Sequence, residues 1–201
     1  MNIALSICHA IDGLSRRMGV VAIYLVLFCS LVSAFNALFR YSTGGMLWLE
    51  HALGNNMFGA LVRFYGANSN AFSESQWYMF AGMVMFGGAW TLKLNEHVRV
   101  DLFYGWVSER TRTWIDLLGG IFFLLPMCLI LIWFTAPWFY ASYVTGEGSL
   151  NVGGLVRWPV KLIVLIGFIL MALQGVSEII KCVLALRGGY VREFAYEKPL
   201  Q

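Results

Sequence analysis

The sequence predicts an all-α membrane protein with four transmembrane helices. Four stretches contain no Asp, Glu, Lys or Arg, namely residues 18–39, 77–92, 117–140 and 162–177. A bilayer core about 30 Å thick needs roughly 20 apolar residues per helix, and fewer where Lys or Arg side chains reach the interface from the helix ends. The composition agrees, with 59% hydrophobic residues, 12% charged residues and a mean hydropathy of +0.69. We therefore predict one membrane domain over residues 1–201.

The first predicted span covers residues 18–39 and has one competing interpretation. Arg16 and Arg17 precede an apolar run, which also resembles an export signal, and the small residues 32–34 resemble a cleavage site. However, the uncharged run continues to Phe39, which is long for a signal and suitable for a span. A retained first helix is the favoured interpretation.

A long loop is predicted to follow, over residues 42–75, on the periplasmic side. Its segments 46–53 and 57–65 are rich in apolar residues and are separated by Gly54-Asn55-Asn56. Each segment is too short to cross a bilayer, so we expect two short interfacial helices that lie flat in the headgroup layer. A re-entrant hairpin is the alternative.

The other three spans are predicted at approximately residues 76–94, 114–141 and 159–183. Residues 73–76 fit a capping box, with Glu74 near the positive end of the second helix. Gly88 is one of several small residues that repeat at a seven-residue spacing, which lets a neighbouring helix approach closely. Pro126 predicts a kink in the third span.

The basic residues predict the topology. Ten Lys and Arg residues lie before the first span, between spans two and three, and at the C-terminal end of the chain. Four lie in the other two loops. The positive-inside rule therefore places both termini in the cytoplasm. The net charge of +3 is distributed over helix ends, and we expect no nucleic-acid partner.

The spans lack the groups that several function classes require. Ion and proton pathways use ionisable residues within the spans, whereas here such residues lie at the borders. A membrane cytochrome would need histidines inside the spans, yet His9, His51 and His97 lie outside them. No hydrolase motif or Cys/His cluster is present, so we expect no enzyme, no cofactor and no metal. A helper or scaffold subunit is favoured, and a stand-alone electron-transfer or assembly protein remains the alternative.

One polar segment after the second span, residues 93–101, contains Glu96, His97, Arg99 and Asp101. In a helix His97 and Asp101 would share a face, and in an extended segment His97, Arg99 and Asp101 would share one. From the residues alone, a membrane border with an Arg–Asp pair is the favoured interpretation.

Taken in order along the chain, several motifs resemble one transporter family. They are Arg40-Tyr41, Ser73-Glu74, Gly87-Gly88-Ala89, residues 96–101, Leu117-Leu118-Gly119 and Pro126. This order resembles the small membrane subunit, DctQ-type, of TRAP transporters (tripartite ATP-independent periplasmic transporters), over roughly residues 15–187. The His-x-Arg-x-Asp block is its most specific part.

The resemblance implies a bacterial inner-membrane subunit of a sodium-coupled importer of carboxylates. Its partners would be a large DctM-type transport subunit and a periplasmic DctP-type substrate-binding protein. Residues around Trp77 and Trp158 resemble the branch associated with keto acids. We expect structural or subunit-interface roles for Arg40, Glu74, Gly88, Glu96, His97, Arg99 and Asp101. The charged groups available for docking the binding protein on the outer side are Glu50, Arg63 and Glu147.

Two departures limit what the resemblance implies. The family often has a Glu pair before the second helix, whereas Ser75 occupies the second position here. The first outer loop is also longer than is usual in the family.

Overall fold

The computed structural model describes residues 2–54, 56–97, 106–188 and 190, and within these residues it is helical without strands. The predicted all-α class is confirmed. In chain order the elements are α1 (Asn2–Leu53), α2 (Met57–Leu94), α3 (Glu109–Gly119), a π-helical turn (Gly120–Leu124), α4 (Leu125–Thr145) and α5 (Trp158–Leu186).

Helices α1 and α2 form one long antiparallel hairpin. They contain 52 and 38 residues, which at 1.5 Å per residue gives lengths of about 78 and 57 Å. The expected separate interfacial helices are therefore wrong: residues 46–53 are the end of α1, and residues 57–65 are the start of α2. The turn between them includes Gly54, whose φ of 61° suits a residue without a side chain.

Side-chain contacts explain why residues 42–75 continue the two helices. The Tyr65 ring lies 4.5 Å from the Phe39 ring, and its hydroxyl donates to the Asn36 side-chain oxygen at 2.5 Å. Phe72 packs edge-on against Phe35 at 5.6 Å. Helix α2 therefore packs against α1 through residues that precede its predicted span, which favours continued helix over a flat segment.

The predicted capping box at residues 73–76 is also wrong, because these residues lie inside α2. Ser73 Oγ donates to the Ser69 carbonyl at 3.1 Å, and Ser75 Oγ donates to the Phe72 carbonyl at 2.8 Å. Such bonds to the preceding turn satisfy the hydroxyls without ending the helix. Residues that often cap helices are thus accommodated inside a helix that begins earlier in the chain, at Met57.

The third helical region is continuous from Glu109 to Thr145 but changes its winding before Pro126. The backbone N–H of Leu125 donates to the Gly120 carbonyl, which is the i→i+5 bond of a π turn. Pro126 has no N–H, and its ring would clash with the carbonyl four residues earlier in a regular α-helix. A π turn at this position accommodates the ring.

Helix α5 contacts every other helical element of the described chain. Small residues permit the close approaches, because a side chain at Gly167 would overlap Met85 of α2 and one at Gly175 would meet Leu124. Gly88 of α2 likewise lies against Met171, so its predicted packing role has a specific partner in α5. The bundle is therefore organised around α5.

Among the described residues, three helices are long and apolar enough to cross a membrane: Ile3–Leu53, Glu109–Thr145 and Trp158–Leu186. Helix α2 is not among them, and its stretch 77–92 is rich in Gly, Trp and Tyr, which have low hydropathy. The number of four spans therefore stays a prediction. Many large apolar side chains face outwards, among them Phe123 and Trp133 at 77% exposure. An outer surface of this kind suits lipid or a membrane partner.

The hairpin packing can be tested by cross-linking. A Cβ at Gly87 would lie 3.8 Å from the Cβ of Ala22, which is the usual separation across a disulfide. In a background without the native cysteines, Ala22→Cys with Gly87→Cys should oxidise readily, seen as a band shift reversed by reductant. The matched control pairs Ala22→Cys with Gly88→Cys, whose side chain faces Met171 instead. Equal cross-linking of both pairs would contradict the packing.

Candidate functional site

Two buried or half-buried polar clusters lie near opposite ends of α5. Lys181 belongs to the first, the inner cluster, and Lys161 to the second, the outer cluster. They are twenty residues apart on one helix, which corresponds to about 30 Å. This separation matches the thickness of a bilayer core, and we name the clusters inner and outer after the predicted topology.

The inner cluster joins α1 to α5 through a buried ion pair. Lys181 Nζ lies 2.8 Å from Asp12 Oδ2, and each residue is only 8% exposed. Lys181 also lies 2.8 Å from Glu178 Oε1, one turn earlier in α5. One ammonium thus serves two carboxylates, and the cluster is held by further hydrogen bonds.

Gln174 is the centre of these hydrogen bonds and is completely buried. Its amide donates to Asp12 Oδ1 at 3.0 Å and to Glu178 Oε1 at 2.9 Å, while its oxygen accepts from Ser15 Oγ at 2.7 Å. Ser177 Oγ also donates to Asp12 Oδ1, at 3.0 Å. Because every group of this network has a partner, the ion pair and hydrogen bonds offset the desolvation cost of the buried charges and fix the register of α1 on α5.

The sequence alone did not indicate this network, because Asp12 and Ser15 precede the first predicted span and lie about 160 residues from Gln174 in the chain. A signal was present in the spacing of Cys8, Asp12, Ser15, Gly19 and Ala22, which recur every three or four residues. All five are buried, so they define one face of α1. A row of small residues on one helix face that includes an acid predicts a basic partner on the facing helix.

The outer cluster fixes the loop between α4 and α5 on α2. Glu74 accepts from Ser149 Oγ, from Asn151 Nδ2 at 3.0 Å and from the backbone N–H of Leu155 at 2.7 Å. The loop is itself closed by a bridge between Gly148 and Val156. Glu74 therefore has a defined partner, the loop of residues 146–157, which the sequence did not indicate.

One face of α2 carries the whole loop. Asn70 Nδ2 donates to the Val152 carbonyl at 2.9 Å, and the Tyr78 hydroxyl donates to the Val156 carbonyl at 2.7 Å. Gly153, with φ at 71°, lies so close to the Ala67 carbonyl that a side chain there would overlap it. These α2 residues are spaced three or four apart, as one helix face requires.

Glu147 bridges two cations at the start of the same loop. It pairs with Lys161 Nζ and lies 3.5 Å from Arg157 Nη1. Lys161 Nζ also lies 4.5 Å from the Trp138 ring of α4. The outer ends of α4 and α5 are thereby tied together, and Glu147 has partners inside the chain.

The two outer carboxylates are held in their charged form. The hydrogen bond from Ser149, together with the Leu155 N–H, lowers the pKa of Glu74 below its usual 4.5. The hydrogen bond from Lys161 likewise lowers the pKa of Glu147. A lowered pKa means that each carboxylate stabilises the loop at neutral pH and loses that effect as the pH falls through its folded-state pKa.

The remaining predicted residues are placed as follows. Arg40 and Arg63 are exposed on the hairpin, and Glu50 lies against Gly59 across it. Glu96 and His97 are exposed just after α2, which ends in the left-handed residue Asn95. Arg99 and Asp101 lie outside the described residues.

Chemically, both clusters position helices and a loop. Within residues 2–54, 56–97, 106–188 and 190, no group of three or more His, Cys, Asp or Glu is arranged to hold a metal ion. The geometry defines a helical membrane protein whose polar groups lie at the two borders and whose outer faces are apolar.

The family follows from comparison with known proteins. Residues 56–185 match the family model described as "Tripartite ATP-independent periplasmic transporters, DctQ component". The chain belongs to this family, which consists of transporter components and is not an enzyme family. No curated protein and no solved structure matches the chain.

The inner ion pair can be tested by unfolding. Lys181→Met should lower the free energy of unfolding by about 3–5 kcal/mol, because it leaves the buried Asp12 carboxylate without its cation. Asp12→Leu should lower it less, because Lys181 keeps its pair with Glu178. The double variant Asp12→Leu with Lys181→Met should lose much less than the sum. Thermal unfolding in detergent measures this, with the exposed Arg187→Gln as control. Fully additive losses would contradict the pairing.

The loop anchor can be tested by hydrogen exchange. Glu74→Gln should reduce protection of the Leu155 amide, since losing a charged acceptor costs about 1–3 kcal/mol. Glu50→Gln is the matched control, because Glu50 contacts Gly59 instead of the loop. In the wild type the same protection should be complete above about pH 4.5 and decline as the pH falls below it. Protection that does not change with Glu74→Gln or with acid would refute the anchor.

Proposed function

We propose that the chain is the small permease subunit of a sodium-coupled TRAP-type importer of organic acids, carboxylates that include keto acids. It supports a large DctM-type transport subunit, and a periplasmic DctP-type protein delivers the substrate. The observation that carries this proposal is the family match over residues 56–185. Sodium coupling, the substrate class and the individual partners are proposed in addition to what that match shows.

The geometry supports a scaffold role in place of a substrate pathway. The buried charges of the described residues, such as Asp12 and Lys181, are engaged in internal pairs at the membrane borders. Between these borders, α5 presents residues such as Gly167 and Leu170 to its neighbours. A rigid bundle whose polar groups bind one another suits a static support.

The exposed outer faces suit contact with a large membrane subunit. On the third helical region Phe122, Phe123 and Trp133 are 66%, 77% and 77% exposed. Because lipid provides no hydrophobic drive for association, shape and small polar contacts would select the partner. We assign Glu96 and His97, which follow α2, to the same contact. Arg99 and Asp101, further along the sequence, stay predicted interface residues.

The hairpin supports a docking role on the opposite side. Position 59, near the tip of the hairpin, lies seventeen residues before Gln76, where the predicted second span begins. The tip therefore extends about 25 Å beyond the outer border. Arg40 and Arg63 are exposed there, whereas Glu147 is engaged with Lys161. We therefore expect Arg63 to contribute to delivery of substrate, and Glu147 to hold the loop.

The proposed orientation places both termini in the cytoplasm of a bacterial inner membrane. Ten basic residues against four support it, and Arg16 and Arg17 are two of the ten. The hairpin tip and the loop of residues 146–157 then face the periplasm.

Reconstitution tests the proposed function. Liposomes that contain this chain, its large subunit and the loaded binding protein should take up a labelled keto acid when a sodium gradient is imposed. Liposomes with either membrane subunit alone should show background uptake, because the scaffold and the moving part would be separated. Omitting the sodium gradient is the control. Uptake by this chain alone would overturn the proposal.

A further inference from the structure

One side of α1 carries a row of exposed, mostly apolar side chains that α2 and α5 leave uncovered. Its members follow one another by alternate steps of four and three residues. The row, which we call the α1 seam, begins with Ile3, Ile7, Ala10, Leu14 and Arg17 and continues with the same steps to Leu38. Every member is exposed, whereas the other side of α1, which includes Cys8 and Ser15, is buried.

The spacing of the α1 seam suits a second helix. Steps of four and three place one member every 3.5 residues, which is the spacing at which two helices pack along their length with a left-handed twist. Thirty-five residues separate Ile3 from Leu38, which corresponds to about 52 Å. Helix α1 therefore offers a helical partner a contact that is longer than the bilayer core is thick.

The inner end of the α1 seam extends beyond the predicted membrane. Ile7 and Ile3 lie ten and fourteen residues before Arg17, which flanks the first predicted span, so they lie about 15 and 21 Å further along α1. Headgroups add only about 5–8 Å to the hydrocarbon core on each side. Ile7 is nevertheless 49% exposed and Ile3 is 80% exposed. Because lipid does not reach these side chains in a helix that crosses the bilayer, a protein partner is needed to remove them from water.

The third helical region differs from α1 in this respect. Helix α3 begins with polar residues such as Glu109 and Arg110, and its large exposed apolar residues begin at Trp114, where the predicted span begins. That apolar face is confined to the predicted membrane depth, so lipid can cover it. The α1 seam is not confined in this way, and its inner end favours a partner with a helix that also leaves the membrane.

Arg17 decides which kind of helix fits the α1 seam. Among the described residues, no ion pair engages its side chain. Two copies of this chain with one orientation in the membrane would pair through equivalent seam positions, and their Arg17 side chains would meet and repel each other. A carboxylate on the partner helix would instead pair with Arg17 and fix the register. A different protein with an Asp or Glu at this level therefore fits better than a second copy.

We propose that the α1 seam binds a transmembrane helix of the large transport subunit. This helix carries an Asp or Glu level with Arg17 and continues about 20 Å beyond the inner membrane border. The inference rests on the proposed function, because the large subunit is the membrane partner named there. Helix α1 then has two contacts on different sides: Asp12 holds it on α5, and the seam holds the partner subunit.

Photo-cross-linking locates the partner. A benzoylphenylalanine residue replaces Ile7, on the seam, or His9, which is exposed but lies about 130° around the helix from the seam. Membranes that contain this chain and its large subunit are irradiated, and the adducts are identified by mass spectrometry. Position 7 should give at least about tenfold more adduct with the large subunit than position 9, because only position 7 faces the partner helix.

Charge reversal tests the predicted role of Arg17. Arg17→Glu should lower the amount of large subunit that co-purifies by about tenfold, because it would place two carboxylates together in the contact. Arg17→Lys should retain most of the complex. The matched control is Arg16→Glu, which makes the same charge change at an exposed neighbour that lies off the seam.

The outcomes separate this inference from the proposed function. An adduct within one chain or between two copies, equal adducts from positions 7 and 9, or an equal loss with Arg16→Glu would overturn the inference. A wild-type complex that takes up organic acids but gives no adduct from position 7 would overturn the inference and leave the proposed function intact. A wild-type chain that does not co-purify with the large subunit would overturn both. The position 7 experiment keeps Arg17, so it is decisive even if Arg17→Glu lowers the yield.

Discussion

The buried contact between α1 and α5 is the constraint on which the rest of the arrangement depends. Asp12 and Lys181 form an ion pair in which both residues are only 8% exposed, and Gln174 joins it to Ser15. A hydrophobic contact could slide by a turn at little cost, since lipid and helix surfaces are equally apolar. The polar network has one satisfied geometry, so it sets the axial position of α1, and through the hairpin that of α2.

In the outer cluster, satisfied polar contacts likewise fix the structure, but they hold a loop in place of a helix. Glu74 satisfies a backbone N–H of the loop and two loop side chains, while Glu147 pairs with Lys161. A loop at a membrane border has backbone groups that neither lipid nor a helix satisfies. Binding them to α2 gives a rigid outer surface beside the projecting hairpin. This rigidity suits the scaffold role that we propose.

Some predictions were correct because they depend on composition or on local sequence. Long uncharged stretches indicated membrane helices whatever their neighbours were, and the motif order indicated the family that the comparison confirmed. The role predicted for Gly88 stays a prediction, and Met171 of α5 lies against this residue. The predicted helix start at residues 73–76 failed because capping residues also fit inside a helix when their hydroxyls bond to the preceding turn.

The sequence by itself determined that the chain is helical and that it belongs in a membrane. Those properties follow from hydropathy and charge, which act on each segment separately. Only the tertiary structure decided that residues 42–75 extend a hairpin, that Asp12 binds Lys181 and that Glu74 holds a loop more than seventy residues away. These contacts join residues far apart in the chain, and their energy depends on which partner reaches each buried polar group.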